Sequence, residues 1–219
     1  VTIADVNGDG KLDIIVGTNS GLNSISVLLN NGNGTFATKV DYGAGAQPYY
    51  VAVGDVNGDG KPDLVAANSG GSTVSVFINN GNGTFASKVD YAAGTNPYTV
   101  AVKDVNGDGK LDIIAGNYNS NTVSVLLNNG NGTFAAKVDY ATGAGPRSVA
   151  VGDLNGDGKP DIAVANLSAN TVSVLMNNGN GTFASKVDYG TGAQPYAVAI
   201  GDVNGDGKID IISPNFGSN

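Results

Sequence analysis

Short apolar runs alternate with breaks rich in Gly and Asn along the whole chain. Residues 47–95 show the pattern in full, with the runs YVAVG (50–54), DLVAA (63–67), TVSVFIN (73–79) and FASKVDY (85–91). The breaks around them read NGDG, NSGGS, NNGNG and GTNP. Asn and Gly tolerate the positive φ that tight hairpin turns demand. The pattern predicts four strands joined by hairpins, and no segment sustains a helical period. In the first run Val51 and Val53 share one face, with Ala52 and Gly54 on the other. In the third, Val74, Val76 and Ile78 lie opposite Thr73, Ser75 and Phe77. Neither strand has a strongly polar face, so sheets covered on both sides are expected.

The same unit recurs. The nine residues DVNGDGKLD at 5–13 return at 55–63, 104–112, 153–161 and 202–210, at spacings of 50, 49, 49 and 49. The extra residue of the first interval falls near GTNSGLNS, where a turn absorbs insertions readily. The repeats divide as 1–46, 47–95, 96–144, 145–193 and a partial 194–219, read as one domain over 1–219. Four-stranded units of about 40–50 residues, stacked around an axis, are the blades of a β-propeller. The expected fold is therefore all-β: antiparallel four-stranded blades, four complete and one C-terminal half. A linear β-solenoid is the alternative, although its repeats are usually shorter. The half unit has no obvious complement at the N-terminus. A fragment of a larger ring, a small ring with an incomplete blade and closure by self-association all remain open, because bare strand edges invite pairing.

Charge sharpens the picture. The chain has 19 Asp and no Glu, His, Cys or Trp, and 15 of the Asp lie in the five nine-residue segments. The segments contribute −10 and the remainder +2, so the formal −8 belongs to the repeated loops. No basic stripe exists to displace counterions, and nucleic acid is not an expected partner. No apolar stretch nears the ~20 residues of a membrane span, and no signal segment is evident. Nucleophilic catalysis lacks its parts, because no His, Cys or Glu is present and no Ser stands beside a base.

The segment reads D-x-N-x-D-G-x-x-D. Side-chain oxygens fall at positions one, three, five and nine, and Lys at position seven offers its carbonyl. A Gly at position six permits a sharp bend. Hard oxygen ligands without nitrogen or sulfur suit Ca²⁺ and disfavour zinc or copper. The opening matches an EF-hand loop, but the bidentate Glu at position twelve is replaced by Val16, Ala66, Ala115, Val164 and Ser213. The residues that follow look like strands, so the loop joins two strands. An Asx-rich turn that needs no metal is the competing reading, and five intact copies argue against it.

With VAVGDVNGDGKPDLVAAN, then NNGNGTF and the Gly-rich GAGAQP, the chain resembles the FG-GAP (VCBS-type) repeats of the integrin α-subunit propeller. The resemblance covers essentially the whole chain. It implies loops between the first two strands of each blade, binding Ca²⁺ at one end of the ring. The implied ligands are Asp5, Asn7, Asp9, Lys11 (carbonyl) and Asp13, then Asp55, Asn57, Asp59, Lys61 and Asp63. The third and fourth sets are Asp104, Asn106, Asp108, Lys110, Asp112 and Asp153, Asn155, Asp157, Lys159, Asp161. Asp202, Asn204, Asp206, Lys208 and Asp210 complete them, which gives about five Ca²⁺ per chain. Asn replaces the frequent Asp at position three, and the lower charge should weaken affinity. With no switch element attached, the calcium is read as structural. Weak sites of this kind fill at the millimolar calcium found outside cells, so an extracellular or cell-surface setting is expected.

Other motifs are less specific. NGT at Asn33, Asn82, Asn131 and Asn180, and NLS at Asn166, match the glycosylation sequon, but NNGNGT reads first as a turn. Lys39 and Asp41 of the repeated KVDY read as charges that protect an outer strand edge. Tyr49, Tyr98 and Tyr196, with Arg147 in the fourth unit, enter the innermost strand opposite the Asp loops. They either cap apolar space between blades or stack on sugars. The expected function is a calcium-stabilised, non-catalytic interaction module of adhesion type, with a protein or glycan ligand. The alternative is a multivalent carbohydrate-binding propeller lectin.

Overall fold

The computed structural model describes residues 1–18 and 21–218, and all regular structure among them is β. The first sheet holds β1 (Thr2–Ala4), β2 (Asp13–Thr18), β3 (Ser24–Leu28) and β4 (Val40–Gly43). The second holds β5 (Pro48–Gly54), β6 (Asp63–Asn68), β7 (Thr73–Phe77) and β8 (Val89–Ala92). The third holds β9 (Pro97–Lys103), β10 (Asp112–Asn117), β11 (Thr122–Leu126) and β12 (Val138–Ala141). The fourth holds β13 (Pro146–Gly152), β14 (Asp161–Asn166), β15 (Thr171–Leu175) and β16 (Val187–Gly190). A two-stranded sheet, β17 (Ala199–Gly201) and β18 (Asp210–Ile212), follows. Each sheet is an antiparallel meander in chain order. Of GTNSGLNS, where the extra residue of the first repeat was expected, Asn19 and Ser20 lie outside the described residues, as does Asn219.

Successive sheets stack through their first strands, β5 on β1 and β2, β9 on β5, β13 on β9 and β17 on β13. These are β-propeller blades, four complete and one half, as the repeat pattern predicts. The core is a series of layers between blades. Leu64 and Ala66 of β6 face Ile15 and Ile25 of the first blade, while Val65 and Ala67 face Ile113 and Ala115 of the third. All six residues of β6 and four of the five in β7 are buried, which accounts for the absence of a polar face on the third strand. Small residues are required where inner strands approach. A Cβ on Gly54 would lie 2.7 Å from Leu111 Cδ1 and 2.9 Å from Val102 Cγ2.

Several strand limits depart from expectation: the first strand starts at Pro48 rather than residue 50, and the second runs to Asn68 rather than 67. The third strand ends at Phe77 rather than residue 79, and the fourth begins at Val89 rather than 85. Asn79 and Phe85 instead form an isolated bridge that closes the NNGNGT turn. Phe85 then inserts between blades, with its ring 5.3 Å from that of Tyr42 at 83°. Tyr91–Phe134 and Tyr140–Phe183 repeat this edge-to-face contact.

The stack has two bare faces among the described residues. Phe36 is 38% exposed, whereas its equivalents Phe85, Phe134 and Phe183 are buried. At the other end Tyr189 is 55% exposed. A cavity of about 550 Å³ opens there beside β17 and β18, lined by Leu154, Val172, Val174, Met176, Tyr189 and Ile211. In the preceding blades the corresponding face is covered by the next blade's outer strands.

Candidate metal centre

Every Asp loop joins the first and second strands of its blade, so the five loops share one end of the stack. Their local geometry is nearly identical. In the first, the N–H groups of Gly8 and Asp9 donate to Asp5 Oδ1 at 2.8 and 3.2 Å, and that of Gly10 donates to Asp5 Oδ2 at 2.7 Å. Asn7 Oδ1 accepts from Asp9 N at 3.0 Å, and Asp9 Oδ1 accepts from Lys11 N at 3.0 Å. Gly10 has φ 81°, a left-handed conformation that wraps the chain around Asp5. The first, third and fifth residues thus fold the loop around their own oxygens.

The ninth residue behaves differently. Asp13, Asp63, Asp112 and Asp161 are fully buried. Asp63 Oδ2 accepts from Val56 N at 3.0 Å, and its Oδ1 accepts from Asn79 N at 2.8 Å. The carboxylate therefore clamps the start of the loop to the end of the third strand. Burial pushes Asp63 and Asp112 above the usual carboxylate range. The backbone donors oppose that shift, while the neighbouring loop carboxylates Asp55, Asp59, Asp104 and Asp108 add to it.

A second residue, which sequence reasoning passed over, links the loops. Asn79 Nδ2 donates to Val6 O of the preceding blade at 2.9 Å and to Pro62 O at 2.8 Å. Asn128 reaches Val56 O and Leu111 O, both at 2.8 Å. Asn177 reaches Val105 O and Pro160 O at 2.9 and 2.8 Å. Val56 is thus held through its N–H by Asp63 and through its carbonyl by Asn128. These bonds make a continuous belt through the first four loops. The available signal was the first Asn of NNGNG, present in every complete unit.

The donors fit a hard cation in kind. They are carboxylate, amide and carbonyl oxygens; Asp5 Oδ1 already accepts two backbone N–H groups, whereas Asp5 Oδ2 and Asp9 Oδ1 each accept one and keep a second lone-pair site. Among the described residues, however, no three acidic side chains stand close enough together to hold a metal ion as they are. Asp5 and Asp9 point to loop N–H groups, and Asp13 turns inward to Val6 N and Asn30 N. The loop ammonium groups supply part of the neutralisation, with Lys11 3.1 Å from Asp9 and Lys110 3.3 Å from Asp108.

The KVDY carboxylates do more than protect an edge. Asp90 and Asp188 each accept from a serine of the adjacent strand, Ser75 and Ser173, at 2.6 Å, and pair with Lys88 and Lys186. Asn68 and Asn166 donate to those serines at 2.8 Å, extending the network into the blade. In the NGT turns Asn82 Oδ1 accepts from Thr84 N and Oγ1, a turn use of the sequon.

At the end opposite the Asp loops, the inner-strand tyrosines point at one another rather than capping space between blades. Register shifts in β5, β9 and β13 leave Tyr49, Tyr98 and Arg147 without opposite partners. A bulge of this kind re-aims a side chain. The rings of Tyr49 and Tyr98 lie 4.0 Å apart. The Arg147 guanidinium sits 3.7 Å from the Tyr196 ring centre and 4.7 Å from that of Tyr98. Its Nη2 donates to Tyr49 Oη at 2.9 Å.

Among solved structures, a lectin of Agrocybe aegerita that recognises non-reducing terminal N-acetylglucosamine is similar at 26% identity and TM-score 0.57, over 85% of this chain and 50% of that one. The V. cholerae biofilm matrix protein Bap1 is similar at 21% identity and TM-score 0.58, over 96% and 33%. A Bacteroides fragilis protein described as a 6-phosphogluconolactonase is similar at 21% identity and TM-score 0.65, over 96% and 57%. The chain therefore spans about half or less of the lectin and Bap1 chains, and somewhat over half of the third. The last two likenesses, below 25% identity, bear on the fold alone. No match is found among curated proteins. The FG-GAP-like repeat family matches four times, over residues 5–66, 55–115, 104–164 and 153–213, each match running from one Asp loop through the next. With the loops, the blades and these overlapping matches in agreement, the chain belongs to the FG-GAP-like repeat family.

Proposed function

We propose that this chain is a non-catalytic interaction module of adhesion type whose blades are stabilised by Ca²⁺, about one ion per Asp loop. The observation that carries the reading is the oxygen-only loop, repeated five times at one end of the stack without a change at any side-chain donor. Asp5, Asn7, Asp9, Asp13 and the Lys11 carbonyl, with their equivalents, would hold the ion. Once bound, it would supply positive charge beside the loop carboxylates. The belt through Asn79, Asn128 and Asn177 passes the rigidity of one loop to the next. Weak sites of this composition fill at extracellular calcium concentrations, which supports reading the module as one that works outside the cell or on its surface.

Binding confined to the folded state adds about 2.7 kcal/mol per site at a hundredfold excess over Kd. Thermal unfolding in millimolar calcium and then in chelator tests this. A midpoint several degrees higher in calcium is expected, with magnesium less effective. Equal midpoints would remove calcium from the account.

A second reading, a carbohydrate-binding propeller, is favoured by the likeness to the Agrocybe aegerita lectin at 26% identity. A glycan array separates the two readings, because specific hits support the lectin and a blank array leaves a protein-binding module.

A further inference from the structure

The units of this chain are nearly identical, and their differences are not evenly spread. The Asp loops change only at Leu12, Pro62, Leu111, Pro160 and Ile209 and at Leu154, which replaces Val. At the opposite end more positions vary from unit to unit, among them the three that follow. They read Tyr49, Tyr98, Arg147 and Tyr196; then Tyr50, Thr99, Ser148 and Ala197; then Ser69, Tyr118, Leu167 and Phe216. Repetition thus preserves one end of the stack and individualises the other.

The individualised end holds a cavity of about 560 Å³, lined by Tyr49, Asn96, Tyr98, Tyr118, Arg147 and Tyr196. That volume lies within the usual range of ligand pockets, about 300–1,000 Å³. Among the described residues no carboxylate lines it. A second space of about 230 Å³ adjoins it and shares Tyr49, Tyr98, Arg147 and Tyr196. Arg147 is the chain's one arginine, and among the described residues no carboxylate lies within 4.0 Å of its guanidinium. Tyrosine rings flank the guanidinium, and its Nε is buried without a hydrogen-bond partner among the described residues. Guanidinium donors lie in the plane of the group, so stacked rings leave its edge to meet an acceptor. The bulges of β5, β9 and β13 aim Tyr49, Tyr98 and Arg147 at this point. Tyr49 is held below the usual phenol range: burial alone would raise it, but the Arg147 hydrogen bond and charge outweigh that.

We propose that this cavity binds a saccharide bearing a carboxylate, with Arg147 meeting the carboxylate and the tyrosine rings packing on the sugar. A neutral sugar has no use for an uncompensated cation, and a bare carboxylate has none for four aromatic faces. A guanidinium without an ion-pair partner, in a chain of formal charge −8, is an anion site isolated from the acidic end. This rests on reading the chain as a binding module, and it names the ligand class of one site on it.

The test is calorimetric titration of the whole chain in calcium with methyl glucuronide, methyl glucoside and acetate. It is repeated with Arg147→Tyr, which restores the residue of the other units, and with Arg147→Lys. The wild-type chain is expected to prefer the glucuronide over both other probes at least tenfold. Arg147→Tyr should abolish that preference, and Arg147→Lys should keep part of it. Equal binding of glucuronide and glucoside, equal binding of acetate, or a preference that survives Arg147→Tyr would overturn the proposal. So would no detectable glucuronide binding. Calcium content measured on the same samples reports on the calcium-stabilised module independently. Glucoside binding without preference would retain a sugar-binding function while removing the Arg147 site.

Discussion

Single side chains decide how the loops are held. Asn128 donates to two carbonyls, Val56 O and Leu111 O, and is buried. Asn30, its equivalent in the first blade, has only Leu12 O and is more exposed. Each buried group left unpaired costs about 1–3 kcal/mol. Asn128→Ala should therefore destabilise by at least ~2 kcal/mol, and Asn30→Ala by less than ~1 kcal/mol, in denaturant unfolding. Equal losses would mean that the belt between blades contributes nothing. The outer-strand carboxylates set an acid limit. Lys39 and then Ser26 hold Asp41 below the usual carboxylate range. For Asp188 burial pulls upward, but Lys186 and Ser173 outweigh it. A depressed folded pKa means that the unfolded chain takes up the proton first. This stability is present above the ordinary value of about 3.9 and is lost as pH falls through the folded value. Ser173→Ala should reduce the loss of melting temperature over that acid range, and an unchanged acid limb would contradict the assignment.

Within a blade the legible and illegible parts have different causes. First and second strands were readable because apolar runs end at Asp loops whose conformation is local: Asp5 and Gly10 fold the turn themselves. The outer strand was misplaced because Phe85 belongs by pattern to the run FASKVDY, yet its ring leaves the sheet to meet Tyr42 of the preceding blade. Sequence periodicity does not register a contact of that range. The same limit hid the clamp of Asp63 and the reach of Asn79 into a neighbouring loop. These contacts make a prediction for the blade. Phe134, buried against Tyr91, should cost about 3–5 kcal/mol when replaced by Ala. Phe36, 38% exposed, should cost far less. Similar losses at both sites, measured by chemical unfolding, would show that the blade interfaces do not depend on this ring pair.

Across the whole molecule the chain is a stack with two functional ends. Inner strands run from a tyrosine and arginine cluster to a ring of Asp loops, so one repeat delivers a side chain to each end. The fold and the positions of the loops were legible because a constant period of 49 residues, with one interval of 50, carries both. The meeting of Tyr49, Tyr98, Arg147 and Tyr196 was not, because it depends on three bulges and on packing around an axis. The central claim concerns the acidic end, and native mass spectrometry of the intact chain in calcium tests it most directly. Five calcium ions per chain, lost together with stability on chelation, is the predicted result. A chain that carries no calcium under those conditions would contradict the account and leave the Asp loops as turns held by their own backbone.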